Sequence, residues 1–584
     1  MGTKVLGIDL GTTNSVVAII EDGQPRIIPV DGERLLPSVV GVGPDGKILV
    51  GRHAYNQWGA APERTVRSVK RLMGSGQSVE MGERSFTPQE ISAMILDRLR
   101  QAAQTHLGED VRRVVITVPA YFNEPQRQAT IEAGEIAGLQ VERILNEPTA
   151  AALAYGYGQD NGGQPLKVLV YDLGGGTFDV SIIELDGEIV DVIATAGNNH
   201  LGGDDFDLRL ADLLADEFEK EHKIDLRQDH QAWARLQRAA EEAKIELSAT
   251  PYATVNLEYI ASDKKQRPLH IQREIERQEF EDLIADLLDG TLDAIDQTLA
   301  DANMQAEELD RVLLVGGSTR IPAVWALIVA HLGQEPHGEI DPDAAVALGA
   351  AVQAGIISGE EIDAILVDVT PFSLGLETAT FERSGRIRDD HFVPLIRRNS
   401  AVPVQKSEVF TTMFPGQDAI HVKVYQGEHI VASKNVLLGD FMFDDLKPNR
   451  PDMLTNLTVN FQLDINGILN VTVMDRVGRK QMTQEMKASR QRLSPEEIAK
   501  SQAKLSEAYA GTDNVEVEVA GDPGVHALLE RASRVLAGAD VDPDLAAEIT
   551  DVVADIQTAV QAGDDETVEG YCDELIDLLF EAEE

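Results

Sequence analysis

Cysteine is nearly absent: Cys572 stands alone in 584 residues, so no intramolecular disulfide can form, and its place in an apolar helical pattern makes it small core filler. Basic residues are also scarce, 51 Lys and Arg against 99 Asp and Glu, for a net charge of −48. A chain that neutralises phosphate groups carries the opposite balance, so neither nucleic acid nor an anionic membrane is an expected partner. No uninterrupted apolar run is long enough to span a bilayer. Met1-Gly2-Thr3-Lys4 leads straight into a strand-like run without the charged, apolar and small-residue segments of an export signal, so a cytoplasmic location is expected. Two nucleotide-binding signatures are missing as well. Neither a Walker A loop nor a well-placed G-x-G-x-x-G occurs, which argues against P-loop and Rossmann sites.

What remains has the balance of a soluble globular protein, 43% hydrophobic and 26% charged. Single cores rarely grow beyond roughly 250 to 300 residues, so several domains are expected. Acidity is concentrated at the end. From Pro495 onward 24 acidic residues stand against 4 basic ones, which reads as solvated helix faces and a soluble tail.

The most informative pattern occurs twice. Ile8-Asp9-Leu10-Gly11-Thr12-Thr13 lies between the apolar runs Val5, Leu6 and Val16 to Ile20; Tyr171-Asp172-Leu173-Gly174-Gly175-Gly176-Thr177 lies between Val168 to Val170 and Val180 to Leu185. One Asp-Leu-Gly turn between strands is ordinarily only a hairpin. Its recurrence with matching flanks argues for two like-built lobes facing one ligand. Glycines let a backbone approach a polyphosphate closely enough for N–H groups and threonine hydroxyls to donate to it. An aspartate ends each first strand, where a hydrated Mg2+ bridging phosphates would sit. Leu313-Leu314-Val315-Gly316-Gly317-Ser318-Thr319-Arg320 is by itself an ordinary strand-to-helix turn, and it fits the same cleft.

Residues 1 to about 360 alternate strand-like and helical segments. From Phe372 to about Ala488 the period changes to two, with Ile420, Val422 and Val424 alternating with His421, Lys423 and Tyr425, and Leu457, Val459, Phe461 and Leu463 with polar residues. Asn466-Gly467 turns that second run back into Leu469, Val471 and Val473. Ser494-Pro495-Glu496-Glu497 is a helix start with N-cap serine, proline at N1 and glutamate at N3. That helix is expected to be short, interrupted by Gly511 to Gly524. Further helices follow, the clearest carrying Leu545, Ile549, Val552, Ile556 and Val560 at helical spacing.

The strings IDLGTTNS (8–15), VKRLMG (69–74), VITVPAYFN (115–123), NEPTAAALAYG (146–156), YDLGGGTFDVSIIE (171–184), HLGGDDFD (200–207), AKIELS (243–248) and VGGSTRIP (315–322) carry a resemblance over about residues 3 to 490. The chain resembles the seventy-kilodalton heat-shock chaperone family in its bacterial, DnaK-like form. The resemblance implies a two-lobed actin-like α/β ATPase domain at 1–360, an apolar interdomain linker at 361–371, an antiparallel β-sandwich that binds substrate at 372–490 and an α-helical lid at 491–584. It implies an ATP-dependent chaperone that holds extended hydrophobic segments of unfolded proteins, with ATP binding and hydrolysis switching peptide affinity. ATP or ADP, Mg2+ and K+ are the implied cofactors. A J-domain co-chaperone and a GrpE-like nucleotide-exchange factor are the implied partners, besides unfolded clients.

The site residues are those the same resemblance implies. Gly11, Thr12, Thr13, Asn14, Gly174, Gly175, Gly176 and Thr177 would cradle phosphates; Asp9, Asp172 and Asp179 would hold the metal mainly through water. Lys70 would reach the γ-phosphate and orient the attacking water, with Glu147 near the metal's waters. In isolation Lys70-Arg71 is a solvated surface pair. Adenosine would lie among Gly202, Gly203, Glu241, Lys244, Ser248, Gly316, Gly317, Ser318 and Arg320, with Asp343 nearby. Leu376, Ala379, Phe410, Met413, Ile420 and Val422 would line the peptide channel, with Ala379 and Met413 arching over it; without the resemblance these are simply core. Pro119, Arg127, Asp363 and Leu366 would couple the two ends.

Some features depart from the family pattern. The region after Leu72 is short, as in versions lacking an insertion in the first lobe. Asp204 stands where glutamate is common, with little effect expected, and Pro415 occupies the place of an acidic latch. The lid is compact and broken. Two rivals remain open: a sugar-kinase-like phosphotransferase, which would not need a β domain after residue 370, and an ATP-insensitive peptide-binding scaffold.

Overall fold

The two Asp-Leu-Gly hairpins each organise a sheet of the same plan. The computed structural model describes residues 4–509 except 45, 158–163, 339–340, 361, 363, 382–385, 448–449, 451, 465–466 and 487–492; beyond 509 it describes 532, 549, 552, 553, 556, 571 and 575. Strand Leu6–Asp9 pairs antiparallel with Asn14–Glu21 and parallel with Arg113–Val118, which pairs in turn with Gln140–Asn146. Strand Leu166–Leu173 repeats the arrangement, antiparallel to Phe178–Asp186 and parallel to Arg311–Val315. Both faces of these strands are covered, which is why they read as continuous apolar runs.

Helices Pro88–Leu107 and Glu124–Ile136 pack together beside the first sheet, each opened by a reciprocal capping box, Thr87 with Glu90 and Asn123 with Gln126. In the second lobe Gly203–His222, His230–Ala249 and Arg277–Ala302 share one apolar core with Leu169, Tyr171 and Phe178. Two small-residue helices, Glu147–Gly156 and Ala345–Ser358, pack between the sheets. They approach so closely that a Cβ on Gly349 would lie 1.7 Å from the Ala150 carbonyl oxygen, and only glycine fits.

The stretch read by composition as a strand, and by resemblance as a linker, contains a strand. Ile365–Val369 lies parallel to Ile189–Asn198, with Ile365 opposite Ile189 and Leu366 opposite Val190, and antiparallel to Ala401–Val402. Asp363 lies outside the described residues.

Two four-stranded antiparallel sheets follow. One runs Ile387–Ile396, Leu374–Phe381, Ile420–Gln426, Val436–Phe443; the other runs Val404–Thr411, Asn456–Leu463, Leu469–Asp475, Lys480–Met486. Their inner faces share a core in which Val424, Phe461, Val471 and Val473 are wholly buried. The expected alternation holds, with Tyr425 on the face of Lys423, both donating to the Glu377 carboxylate. That face is covered at Tyr425, which is buried in a second small cluster with Phe392 and Ala432 and whose hydroxyl donates to Glu377 at 2.9 Å; the partner strand bulges here at Leu438. Gly467 has the expected positive φ of 81°, while Asn466 lies outside the described residues.

Helix Pro495–Tyr509 starts as read: the Glu497 N–H donates to Ser494 Oγ at 3.2 Å and the Ser494 N–H to Glu497 Oε2 at 2.7 Å. It rests on the first lobe. Leu505 and Ala508 join that lobe's core, and Lys504 Nζ and Ser501 Oγ donate to the buried Glu90 carboxylate at 2.6 and 2.9 Å. By contacts the chain divides into Met1–Gly511 and Thr512–Glu584. In the second unit Ile549, Val552 and Ile556 are helical and buried. The expected break at 511–524, Leu545, Val560 and Cys572 lie outside the described residues. Among the described residues, no helix is long and apolar enough to cross a membrane.

Candidate functional site

The two hairpin turns meet across the cleft between the lobes. Their contact is tight enough that a Cβ on Gly175 would lie 1.8 Å from Thr13 Oγ1. Each loop is braced from outside. Ser38 donates through its hydroxyl to Gly11 O at 2.8 Å and through its N–H to Thr13 O at 2.7 Å. Gly174 O accepts from Ser318 Oγ at 2.9 Å and from the Gly203 N–H at 3.0 Å, and Gly175 O accepts from the Asp204 N–H at 2.7 Å. The third glycine turn and the string 200–207 therefore hold the second hairpin, and the glycine turn also borders the cleft.

A cavity of about 410 Å3 opens between the hairpins. Its wall brings together Asp9, Gly11, Thr12, Thr13, Asn14, Lys70, Glu147, Asp172, Gly174, Gly175 and Thr177 at one end. Glu241, Lys244, Ser248, Gly316, Gly317, Ser318, Arg320 and Asp343 form the other. Gly176, Gly202, Gly203 and Asp179 stand behind this wall. Arg320 is paired with Asp343 at 2.6 Å, Lys244 with Asp207 at 2.8 Å, and Ser248 Oγ donates to the Lys244 carbonyl at 3.1 Å.

The hairpin end is an acid cluster around Lys70. Lys70 Nζ lies 2.5 Å from Glu147 Oε1, both nearly buried. Asp9 accepts from Thr117 Oγ1 at 3.0 Å, and Asp179 accepts from the Ala120 and Tyr121 N–H groups at 3.1 and 3.0 Å. Burial, and next to it the charge of Glu147, push the Asp9 and Asp179 carboxyls up to about 7. Asp172 is raised by the same two causes, with Asp179 and Asp9 adding to them. Its Oδ2 is buried without a hydrogen-bond partner. A buried carboxylate oxygen left unpartnered among like charges fits a cation's hydration shell. Among the described residues no three His, Cys, Asp or Glu side chains converge closely enough to ligate a metal directly.

Of the residues expected to couple the two ends, Arg127 lies in a continuous hydrogen-bond route. Ala120, whose N–H holds Asp179, accepts through its carbonyl from Arg127 Nη2 at 2.9 Å. The same Arg127 nitrogen donates to Asn146 Oδ1 at 2.7 Å, and Asn146 Nδ2 donates to the Asp368 carboxylate at 2.9 and 3.0 Å. Pro119 lies one residue before Ala120. Burial raises the Asp368 carboxyl above the ordinary range, opposed by the Val369 N–H, Arg127 and Arg143. The β domain adds its own contacts to the lobes: Phe372 stacks on Tyr121 at 4.4 Å, Arg398 Nη2 donates to Asp301 at 2.8 Å, and Gln426 accepts from the Glu124 N–H at 2.9 Å.

Sequence reasoning missed Asp368, although an acid inside an apolar strand is a signal. It also missed the lobe-crossing contacts. Arg67 reaches Asp204 at 3.3 Å and Glu241 at 3.4 Å, Ser68 Oγ donates to Asp204 at 2.5 Å, and Arg71 joins Gly176 O at 3.1 Å and Asp205. Asp204 thus takes two partners from the opposite lobe. In the β domain, Leu376 and Val422 are 5% exposed and share the sandwich core with the partly buried Phe410 and Ile420. Ala379 and Met413 are half-buried.

A sequence model described as Hsp70 protein matches residues 5–81 and 76–582. The chain is 44% identical over 579 residues to proteins named Chaperone protein DnaK from Thermotoga petrophila and Thermotoga maritima, covering 98% of this chain and 95% of each of those. The protein of the same name from Thermosipho africanus is also 44% identical, over 98% of this chain and 94% of its own. The chain therefore belongs to the Hsp70 family of ATP-dependent chaperones.

Proposed function

We propose that residues 1–360 bind and hydrolyse ATP between the two hairpins, that 361–371 transmit the nucleotide state, that 372–490 hold extended hydrophobic client segments, and that 491–584 act as the lid. The observation that carries this reading is the unbroken hydrogen-bond route from Asp179 in the acid cluster to Asp368 in the linker strand. A phosphotransferase or a scaffold has no use for such a route.

Gly11, Thr12, Thr13, Asn14, Gly174, Gly175, Gly176 and Thr177 cradle the phosphates. Lys70 neutralises the transferring γ-phosphoryl group and orients the water that attacks it, while Glu147 fixes the ammonium. Asp9, Asp172 and Asp179 are the residues that would hold hydrated Mg2+ and K+, which when bound supply charge neutralisation at the phosphates. Gly202, Gly203, Glu241, Lys244, Ser248, Gly316, Gly317, Ser318, Arg320 and Asp343 accommodate adenosine. Closure of the lobes on ATP seats the linker strand; hydrolysis relaxes the Asp179 end of the route and releases it. Leu376, Ala379, Phe410, Met413, Ile420 and Val422 form the channel, which opens and closes with linker docking. A J-domain partner and a GrpE-like exchange factor act on the hydrolysis and release steps.

ATP should accelerate dissociation of a fluorescent hydrophobic peptide from the full chain by about tenfold, an ordinary coupling between two sites. Equal rates with and without ATP would leave the scaffold reading in place.

The raised acids give a second expected result. Between 3.8 and about 7 the folded state binds more protons at Asp9 and Asp179 than the unfolded state does, so without metal these groups make the fold less stable as pH rises through that window. Metal needs the carboxylate form. Mg-ADP affinity should therefore rise from about pH 6 to about pH 7 and level off above it, with protons released on binding at pH 6 and few at pH 8. Calorimetric titration in two buffers of different ionisation enthalpy reads that release; an absence of release at pH 6 would remove these carboxylates from the metal site.

A further inference from the structure

The turn after strand Val404–Thr411 presents a phenylalanine to solvent in a chain whose charge balance is strongly acidic. Phe414 is 57% exposed. It is also held rigidly. The Gln417 N–H donates to Phe414 O at 3.4 Å across Pro415 and Gly416, and Gly416 has φ +73°, the arrangement of a type II turn with proline and glycine at its two centres. Gln417 locks the turn further: its Oε1 accepts from the Met413 N–H at 3.0 Å and its Nε2 donates to Ala419 O at 2.8 Å. Thr412 Oγ1 donates to the Phe414 carbonyl at 3.3 Å.

Beneath the turn lies a buried pair. The Thr412 N–H donates to Thr455 O at 3.0 Å and the Thr455 N–H to Thr412 Oγ1 at 3.0 Å, with both threonines nearly inaccessible. The two segments run antiparallel from this pair, as the preceding rungs Thr411 with Asn456 and Phe410 with Leu457 show. Phe414 and Met453 each stand two residues beyond it on the same edge, with Leu454 next to the second. Met453 is 46% and Leu454 42% exposed. Three large, exposed apolar side chains thus stand on two segments pinned together, and solvent-exposed apolar groups on fixed supports mark binding surfaces.

We propose that Phe414, Met453 and Leu454 form an auxiliary apolar subsite for client side chains that lie outside the segment held in the channel. This rests on the channel reading given above. Its occupant follows from continuity: Phe410 and Met413, assigned to the channel, sit on the same strand and turn, so a client leaving the channel on this side meets Phe414 next. The subsite selects an apolar residue flanking the central segment and adds to affinity without touching the channel itself.

The test uses the full chain and fluorescent peptides. One is an apolar heptapeptide; the others extend it by four residues at either end, carrying one Leu or one Ser in the extension. At one end the Leu extension should bind about fivefold more tightly than the Ser extension, the effect of partly burying one apolar side chain. Phe414→Ser should abolish that difference while binding the unextended heptapeptide as the parent does, which also shows that the variant folds. No difference at either end, or one that survives in Phe414→Ser and Met453→Ser, overturns the proposal. Failure of the heptapeptide itself to bind, or binding untouched by Ile420→Asp, would instead overturn the channel reading. A parent dimer in sedimentation velocity that Phe414→Ser dissolves would assign the patch to a second copy and sink the client subsite.

Discussion

Lys70→Ala should reduce ATP turnover by at least about 100-fold while changing the dissociation constant for ATP by less than about fivefold. The reason is where the ammonium sits. Lys70 is 4% exposed on the short turn Val69–Leu72, its Nζ is 2.5 Å from Glu147, and it lowers the proton affinity of Asp9, Asp172 and Asp179 alike. Removing it takes the shared cation from an acid cluster exactly when negative charge is moving on the γ-phosphoryl group. Ground-state binding draws mainly on glycine-loop N–H groups, threonine hydroxyls and the adenosine end, which the substitution leaves in place. Single-turnover hydrolysis and equilibrium binding of a labelled nucleotide separate the two quantities. Parent-like turnover would remove Lys70 from catalysis, and loss of binding would make its role architectural. Lys70→Arg should restore the charge but not the rate, because a planar guanidinium cannot occupy the same point beside Glu147.

What could be read in the sequence and what could not divide along a physical line. Asp9 and Asp172 were legible because each sits at a strand end before glycines that only a close backbone approach requires, and because the unit recurs. The Ser494 start of the last helix in the first unit was legible because a capping box is local. Its seat was not, since Leu505 and Ala508 could have covered any apolar surface and Lys504 finds Glu90 from 414 positions away. Arg67, Ser68 and Arg71 look like solvated residues until the second lobe is placed opposite them. Tyr425 keeps its place in the alternation, but that its face is covered there depends on Phe392 and Ala432 from other segments. Asp368 was hidden by its apolar neighbours, its partners lying on two other elements.

That hidden acid gives the other large effect. Asn146→Ala and Asp368→Ala should each abolish stimulation of ATP hydrolysis by peptide while leaving unstimulated turnover within about threefold of the parent. Asn146 links the two halves of the route, accepting from Arg127 and donating to Asp368, so its loss strips Asp368 Oδ2 of its hydrogen-bond donor, while the Val369 N–H at 2.8 Å still serves Oδ1. An unsatisfied group of this kind costs about 1–3 kcal/mol. A shift of about 2 kcal/mol moves a two-state equilibrium roughly 30-fold, enough to empty the docked linker state if it is only modestly favoured. Leu366→Asp attacks the same state by another means, setting a charge into the strand opposite Val190 and against the core that Leu366 packs upon. All three variants should therefore behave alike, with ATP no longer accelerating peptide release. Proteolysis near residue 365, slow in the parent with ATP, should become fast in each of them. Normal stimulation in Asp368→Ala together with loss in Leu366→Asp would place the coupling in strand pairing alone and break the route at Asn146.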